Sequence, residues 1–268
     1  MGGALESEFV TASAGCGEEG AFHLSVSPAA AIMTLAIARA MFAQVPALIV
    51  RPLGGDAPAP TVVWLHGFGA DKELHLPELC CLAEAGLLAV GMDAVGHGQR
   101  RLADFEQQFS GSPTGNPRLF DRLVSRTAAE LPQFIDMLVE GGLTDPKRVA
   151  VAGVSMGGCI VYGAVTADRR IGAAAALLGS PEWLLPDSPH LALDRFFPTA
   201  LLSITAENDT VVPPAAAQAL HAKLLPRYRE HPDRLSYREI AGAPHFMSPE
   251  DWASAVGLAR EWLTSFLF

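Results

Sequence analysis

The strongest chemical signal in the 268-residue chain is a serine between glycines, in the segment Gly-Val-Ser-Met-Gly-Gly at 153–158. This spacing fits the G-x-S-x-G motif, in which a serine lies on a sharp turn between a strand and a helix. An apolar run at 148–153 precedes Ser155, and a helical pattern over Met156–Ala167 follows it. Larger side chains at the glycine positions would collide with such a turn. The motif therefore makes Ser155 the candidate nucleophile.

A serine hydroxyl becomes a good nucleophile only when a neighbouring base removes its proton, and eight histidines are available. The chain order Ser, acid, His that accompanies this motif leaves His221, His231 and His245. His221 lies inside a predicted helix, and His231 lies just before a predicted strand. His245 follows a strand that ends at Ile240, in a loop that could carry the imidazole to Ser155. We therefore predict that His245 is the base.

The acid that orients the base should follow the preceding predicted strand, Ala200–Ala206. The loop after this strand contains Glu207 and Asp209. We favour Asp209 because the apolar residues at 211–213 indicate a loop held against the fold, and Glu207 is the alternative. The predicted role of the acid is to hold the tautomer of His245 and to stabilise the charged imidazolium.

Acyl transfer also needs N–H donors for the negative oxygen that develops in the transition state. We predict that one donor is the backbone N–H of Met156, the residue after the serine. The second is assigned to the Phe68 N–H, with Gly69 as the alternative, because glycines at 67 and 69 let the backbone approach a ligand. The side chain of His66 is interpreted as structural.

These residues are far apart in the chain, so a scaffold must bring them together. Apolar runs predict seven strands, at 47–51, 61–66, 87–93, 148–153, 173–178, 200–206 and 235–240. Helical patterns lie between or after them, at 76–84, 120–140, 156–167, 214–225 and beyond Ser248. Continuous apolar strands are typical of sheets covered on both faces. The alternation predicts an α/β fold with a doubly wound, mostly parallel sheet flanked by helices.

Other segments fit this alternation less well, and the simplest account is still a single domain over 1–268. Residues 1–44 are expected to be an N-terminal extension, with a further strand at 22–26. The apolar stretch 29–50 predicts a buried helix followed by a strand, because Arg39, Gln44 and Pro46 interrupt it as a membrane span. Pro132 predicts a kinked helix or two helices. Residues 99–118 predict an irregular loop, and 180–198 at most a small cap.

Several motifs together resemble a known family. The segments are His-Gly-Phe-Gly at 66–69, Asp-Ala-Val-Gly-His-Gly at 93–98, the serine motif at 153–158, Glu-Asn-Asp-Thr-Val-Val-Pro at 207–213 and Ala-Pro-His at 243–245. Over about residues 45 to 268 the chain resembles the α/β-hydrolase superfamily. It is most similar to the branch of small serine carboxylesterases and dienelactone-hydrolase-like proteins, which is related to prolyl oligopeptidases. The resemblance implies the α/β-hydrolase fold.

The chain departs from this family pattern in two ways. Dienelactone hydrolases proper have a cysteine nucleophile where this chain has Ser155, so lactone-ring chemistry is not implied. The His-Gly-Gly-Gly loop of the hormone-sensitive-lipase branch is also absent from the sequence.

We therefore expect a serine carboxylic ester hydrolase that acts on small or short-acyl esters through an acyl-enzyme intermediate. The expected apolar substrate pocket consists of Trp183, Leu184, Leu185, Val211 and Phe246. The chemistry requires no metal ion and no organic cofactor. The alternatives are an oligopeptidase-like amidase or a thioesterase with the same triad, and a catalytically inactive hydrolase-fold binding protein.

Composition limits the partners. The net charge of −10 and the pI of about 5.2 argue against nucleic acid, whose binding proteins carry basic patches. Four cysteines lack the spacing of a metal site or a disulfide framework, and no basic segment precedes an apolar run at the N-terminus. We expect a cytoplasmic protein that does not bind membranes, and the sequence leaves its oligomeric state open.

Overall fold

The computed structural model describes residues 34–268, which contain an eight-stranded sheet. The strands are β1 (Leu35–Phe42), β2 (Val45–Pro52), β3 (Ala59–Leu65), β4 (Leu88–Met92), β5 (Thr144–Val154), β6 (Ile171–Leu177), β7 (Ala200–Ala206) and β8 (Leu235–Ile240). Their order in the sheet is β1-β2-β4-β3-β5-β6-β7-β8. The pairs β1–β2 and β2–β4 are antiparallel, and every pair from β4 to β8 is parallel. The predicted mostly parallel sheet is confirmed.

Helices cover both faces of the sheet. They are α1 (Leu76–Glu84), α2 (Phe105–Phe109), α3 (Pro117–Glu140), α4 (Met156–Ala167), α5 (Ala215–Leu224) and α6 (Pro249–Leu267). α3, α4 and α5 pack on one face, and α1 and α6 pack on the other. Because both faces are covered, adjacent residues of β3 that point to opposite faces, Val62 and Val63, are both fully buried. No helix within residues 34–268 combines the length and apolar character that crossing a bilayer requires.

The N-terminal part of the sheet corrects one prediction. The predicted helix before β2 is wrong for residues 35–42, because these residues form the edge strand β1. This strand pairs with β2 from Leu35 opposite Pro52 to Phe42 opposite Val45. Periodicity alone does not separate a short apolar strand from a buried helix segment, and here pairing across a tight turn at 43–44 decides. Part of the expected extension 1–44 therefore belongs to the sheet. The strand predicted at 22–26 lies outside the described residues.

The segment before α3 is more ordered than the irregular loop predicted for 99–118. It contains α2, whose Phe105 and Phe109 are buried in a cluster with Val95 and Leu123. The burial of two phenylalanines offsets the cost of ordering so short a helix. α3 continues through Pro132 as one helix, so the two-helix alternative is wrong.

Residues 180–198 connect β6 to β7 through two short 3-10 turns, Pro189–Leu191 and Leu193–Arg195. Trp183 fastens this connection to α4: a Cβ added at Gly163 would lie 2.4 Å from the Trp183 ring. The glycine thus makes room for the indole, which is buried. The connection is short and is held by side-chain packing against the helical layer.

The parallel strands bring several loops to one edge of the sheet. β3, β5, β7 and β8 all run in the same direction, so their carboxyl ends share an edge. Ligand sites in open α/β sheets lie outside the carboxyl ends of the strands. The loops that leave these strands carry Phe68, Ser155, Asp209 and His245 respectively.

A second serine–histidine contact lies in the core, away from this edge. The Oγ atom of Ser203 in β7 is 2.8 Å from Nε2 of His221 in α5, and Tyr162 OH is 2.7 Å from the same Oγ. Burial lowers the pKa of His221 to about 4. The folded protein therefore holds this imidazole in its neutral form.

This buried histidine makes folding sensitive to acid. An unfolded histidine binds a proton near pH 6.5, and folded His221 binds one near pH 4. The unfolded chain thus binds more protons between these values, so stability present above pH 6.5 is lost as the pH falls towards 4. For His221 alone we expect a loss of roughly 2–4 kcal/mol.

Urea unfolding between pH 7 and 4 tests this expectation with the variant His221→Gln, which keeps a hydrogen-bonding side chain but does not titrate. The stability difference between wild type and variant should shrink as the pH falls. A difference that stays constant from pH 7 to 4 would show that His221 titrates alike in both states.

Candidate active site

Ser155 lies at the turn between β5 and α4 in a backbone conformation that non-glycine residues rarely adopt. Its φ is 56° and its ψ is −113°. Two backbone hydrogen bonds hold it, from the Ser155 N–H to Leu177 O at 2.8 Å and from the Cys159 N–H to Ser155 O at 3.0 Å. Such strain persists only where the surroundings over-determine the conformation.

The glycines of the motif are required by close backbone contacts. A Cβ at Gly157 would lie 2.0 Å from Leu65 O, and one at Gly153 would lie 2.8 Å from the same oxygen. A Cβ at Gly158 would lie 2.5 Å from Leu177 O. The first turn of α4 therefore sits directly against the ends of β3 and β6, which fixes the place of Ser155.

The structure brings Ser155, His245 and Asp209 together. Ser155 Oγ lies 3.0 Å from His245 Nε2, and His245 Nδ1 lies 2.7 Å from Asp209 Oδ2. A carboxylate only accepts hydrogen bonds, so Nδ1 donates to Asp209 and the lone pair of Nε2 faces the serine hydroxyl. Asp209 and His245 are buried. This arrangement can remove a proton from the serine hydroxyl.

The two acids after β7 have different surroundings. Asp209 Oδ1 accepts hydrogen bonds from the backbone N–H groups of Val211 and Val212, at 2.9 and 2.7 Å. Glu207, the alternative acid, is exposed and accepts a hydrogen bond from the Gly242 N–H at 2.7 Å. Of the two carboxylates, Asp209 is the one that contacts the imidazole.

The loop after β3 carries the predicted second N–H donor, Phe68. His66 holds this loop: its Nδ1 donates to Gly67 O at 2.8 Å, and its Nε2 accepts from the Ala94 N–H at 3.0 Å. Burial lowers the pKa of His66, which favours this neutral form. Within residues 34–268 the N–H groups of Phe68 and Met156 donate no hydrogen bond. Both are therefore available to a ligand.

Two cavities meet at Ser155, and Phe68 and Val211 line both. The first, called here the His75 cavity, has a volume of about 520 Å³ and is also lined by His75, His245, Phe246, Met247 and Trp252. The second, called the Asp121 cavity, has a volume of about 440 Å³ and is also lined by Phe120, Asp121, Cys159, Glu182 and Trp183. Both volumes lie in the usual range of ~300–1,000 Å³ for small-molecule sites.

Of the five predicted pocket residues, three line these cavities and two do not. Trp183 lines the Asp121 cavity, Phe246 lines the His75 cavity and Val211 lines both. Leu184 and Leu185 line neither: Leu184 is 65% exposed, and Leu185 packs against the main core. The hydrophobic run at 183–185 does not show in sequence which of its side chains turns inward.

Asp121, for which the sequence motifs predict no role, is buried at the wall of the Asp121 cavity. Its Oδ2 accepts a hydrogen bond from the Leu184 N–H at 2.6 Å. Burial raises the pKa of this carboxyl, and the hydrogen bond from Leu184 partly offsets the rise. A signal existed in the sequence, because Asp121 shares the apolar face of α3 with Val124 and Ala128 at helical spacing.

Besides His245, the His75 cavity contains His75, for which the sequence motifs predict no role. His75 Nδ1 lies 3.2 Å from Glu78 Oε2, and the indole N–H of Trp252 donates to Glu78 Oε1 at 2.7 Å. Burial by itself would raise the pKa of Glu78, but these two hydrogen bonds lower it below its usual value. No group of three metal-binding side chains occurs in the described part of the chain.

Most of the chain matches a known protein family. Residues 45–233, well over half of the chain, match the Dienelactone hydrolase family. A protein of Bacillus subtilis (strain 168) named "Putative esterase YitV" is 26% identical over 250 residues, covering 82% of this chain and 94% of the relative.

Solved structures agree on the fold. TT1662 from Thermus thermophilus superposes with a TM-score of 0.68 at 23% identity, covering 86% of this chain and 99% of that one. A cold-adapted esterase from an Arctic intertidal metagenomic library superposes with a TM-score of 0.62 at 18% identity. The superposition covers 85% of this chain and 94% of that one. The α/β-hydrolase fold predicted from the sequence is confirmed. The chain is an enzyme that belongs to the dienelactone hydrolase family.

Proposed function

We propose that this enzyme hydrolyses carboxylic esters of small or short-chain acids, with Ser155 as nucleophile, His245 as base and Asp209 as the acid that orients the base. The observation that carries the proposal is the continuous hydrogen-bonded path from Ser155 Oγ through the imidazole to the Asp209 carboxylate. The family match supports hydrolysis in general, and the serine in this path supports acyl transfer.

In the first half of the reaction, Ser155 Oγ attacks the ester carbonyl carbon while His245 Nε2 takes the hydroxyl proton. The resulting imidazolium is stabilised by Asp209, whose carboxylate stays ionised. The tetrahedral intermediate then collapses, and the proton on Nε2 passes to the departing alcohol. The acyl group remains on Ser155.

In the second half, a water molecule occupies the place of the alcohol. His245 takes a proton from this water, and the hydroxide attacks the acyl-enzyme carbonyl. Collapse of the second intermediate returns the proton to Ser155 and releases the acid. The same three side chains therefore serve both halves.

The developing oxyanion needs donors that are already in place. The N–H groups of Phe68 and Met156 have no partner within the described chain, and α4 begins at Met156. The positive end of the α4 dipole adds to their effect. Each such donor typically lowers the barrier by about 3 kcal/mol.

The proposed substrates are small-molecule esters, because the two cavities beside Ser155 are of small-ligand size. We further propose a cytoplasmic location and a single-domain organisation. Cys80 and Cys159 form no disulfide in the described part of the chain, which suits a reducing compartment.

Replacing the nucleophile tests the central step. Ser155→Ala removes the attacking oxygen, so kcat for p-nitrophenyl acetate should fall by about 10³-fold or more. A fluorophosphonate probe should label the wild type and leave the variant unlabelled. Labelling of the variant, or hydrolysis that survives the substitution, would rule out Ser155 as the nucleophile. The absence of any turnover by the wild type on esters, thioesters and amides would point to a binding protein.

A matched pair of variants tests the acid. Asp209→Asn keeps the size of the side chain but loses the charge that stabilises imidazolium, so kcat should fall by about 10²–10⁴-fold. Glu207→Gln removes the neighbouring exposed carboxylate and should leave kcat within about twofold of the wild type. The two rates are compared on the same ester. An equal loss in both variants would contradict the assignment to Asp209.

Acyl length tests the size of the substrate. The cavities are small and the connection at 180–198 is anchored by Trp183, so long chains should not fit. We expect kcat/KM for p-nitrophenyl esters to fall at least about tenfold between butyrate and palmitate, a change worth about 1.4 kcal/mol. The esters are compared below their micelle concentrations. Equal values along the series would overturn the short-acyl preference.

A further inference from the structure

Asp121 presents an unpaired carboxylate oxygen to the cavity that adjoins Ser155. The residue is 7% exposed, and its Oδ2 is occupied by the Leu184 N–H. No side chain or backbone group within residues 34–268 donates a hydrogen bond to its Oδ1. This oxygen can therefore accept a hydrogen bond from a group in the cavity.

The oxygen is open to the cavity and not sealed inside the protein. In the described part of the chain, the buried side-chain atoms that lack both solvent contact and a partner are Trp64 Nε1, His97 Nε2 and Trp183 Nε1. Asp121 Oδ1 is not one of them. Since Asp121 lines the cavity, its remaining surface faces the space where a substrate would lie.

The charge around this oxygen is uncompensated. No Lys, Arg or His is among the residues that line the Asp121 cavity, and a second carboxylate, Glu182, lies at its exposed rim. Among the described residues no cationic side chain pairs with Asp121. The remaining wall is largely apolar, with Phe68, Phe120 and Trp183. A carboxylate in such surroundings is stabilised most by a cation with N–H donors.

The cavity on the other side of Ser155 has no carboxylate at its wall. It is lined by His75 and His245 and by no Asp or Glu, because Glu78 is turned towards His75 and Trp252. Of the two cavities beside Ser155, only the Asp121 cavity therefore has carboxylates at its wall, which gives an ester with a cationic group a preferred direction of binding.

We propose that the Asp121 cavity binds the part of the substrate that carries a primary ammonium group, which donates a hydrogen bond to Asp121 Oδ1. The proposal rests on the hydrolase function of Ser155 proposed above and names its substrate class: esters with a cationic amine on one side of the scissile bond. Asp121 is a specificity residue that touches the substrate away from the reacting atoms. The net charge of −10 also attracts cationic ligands to the protein.

The test uses ester pairs that differ in one group, a terminal ammonium or a methyl of similar size. Methyl 4-aminobutanoate and methyl pentanoate carry the difference on the acyl side, and 3-aminopropyl acetate and butyl acetate carry it on the alcohol side. Hydrolysis is followed by acid release at constant pH 7. For at least one pair, wild type should prefer the ammonium ester by about tenfold or more in kcat/KM, as expected for a charge-assisted hydrogen bond.

Two variants distinguish a specific contact of the ammonium group with Asp121 from a general attraction to negative charge at the cavity. Asp121→Asn keeps a carbonyl oxygen for the Leu184 N–H and removes the charge, so the kcat/KM ratio of the ammonium ester to its neutral partner should fall by about tenfold. Glu182→Gln removes the exposed neighbouring carboxylate and should change the preference less than twofold. An unchanged preference in Asp121→Asn, an equal loss in Glu182→Gln, or no preference in the wild type overturns the proposal.

A binding measurement distinguishes failure of the Asp121 proposal from failure of the proposed hydrolase function. If none of the four esters is turned over, their affinities for Ser155→Ala and for Ser155→Ala/Asp121→Asn are measured by NMR titration. Tighter binding of an ammonium ester than of its neutral partner, lost in the double variant, supports the Asp121 site even without turnover. Equal affinities of the paired esters for Ser155→Ala reject the site.

Discussion

The first turn of α4 lies so close to the end of β3 that no side chain fits between them. The contact is between the backbone at Gly157 and Leu65 O, where an added Cβ would come within 2.0 Å. The same contact holds Ser155 in its strained conformation, with φ of 56°. The strain is sustained because β3, β5 and β6 surround the turn and leave it no other place. The position of the serine hydroxyl therefore follows from the packing of backbone against backbone.

The groups around the serine gain their orientation from hydrogen bonds to backbone. Asp209 is held by the N–H groups of Val211 and Val212, and His66 ties the loop of Phe68 to Ala94. Each contact satisfies a buried polar group and fixes a side chain or loop that faces Ser155. Rigidity of this kind holds the proposed base and the proposed N–H donors in position before the reaction, which would lower the cost of reorganisation in the transition state.

Against this background the unpaired oxygen of Asp121 differs from its neighbours. The polar groups that form the proposed catalytic path are paired, whereas Asp121 Oδ1 faces a cavity without a partner. A carboxylate oxygen that faces a cavity can accept a hydrogen bond from a bound ligand. The two cavities thus share Ser155, the proposed nucleophile, and differ in the polar groups at their walls.

Most of the scaffold, and the three residues that meet at its edge, can be predicted from the amino-acid sequence. Strands with continuous apolar runs, such as β7 at Ala200–Ala206, and the helix α4 at Met156–Ala167 have the predicted bounds. This was possible because burial on both faces, glycines at a sharp turn and the Ser, acid, His order leave local signals in the chain. Asp209 was favoured over Glu207 on the same local evidence.

Features that depend on partners distant in the chain become visible only in the folded protein. β1 is a strand because it pairs with β2 across a tight turn, and its composition alone suits a buried helix equally well. Trp183 turns inward because Gly163 leaves space for its ring, whereas Leu184 is exposed. Asp121 lies on an apolar helix face, and the open cavity beside it exists only once α3 packs next to α4. A cavity belongs to several segments at once, so no single stretch of sequence encodes it.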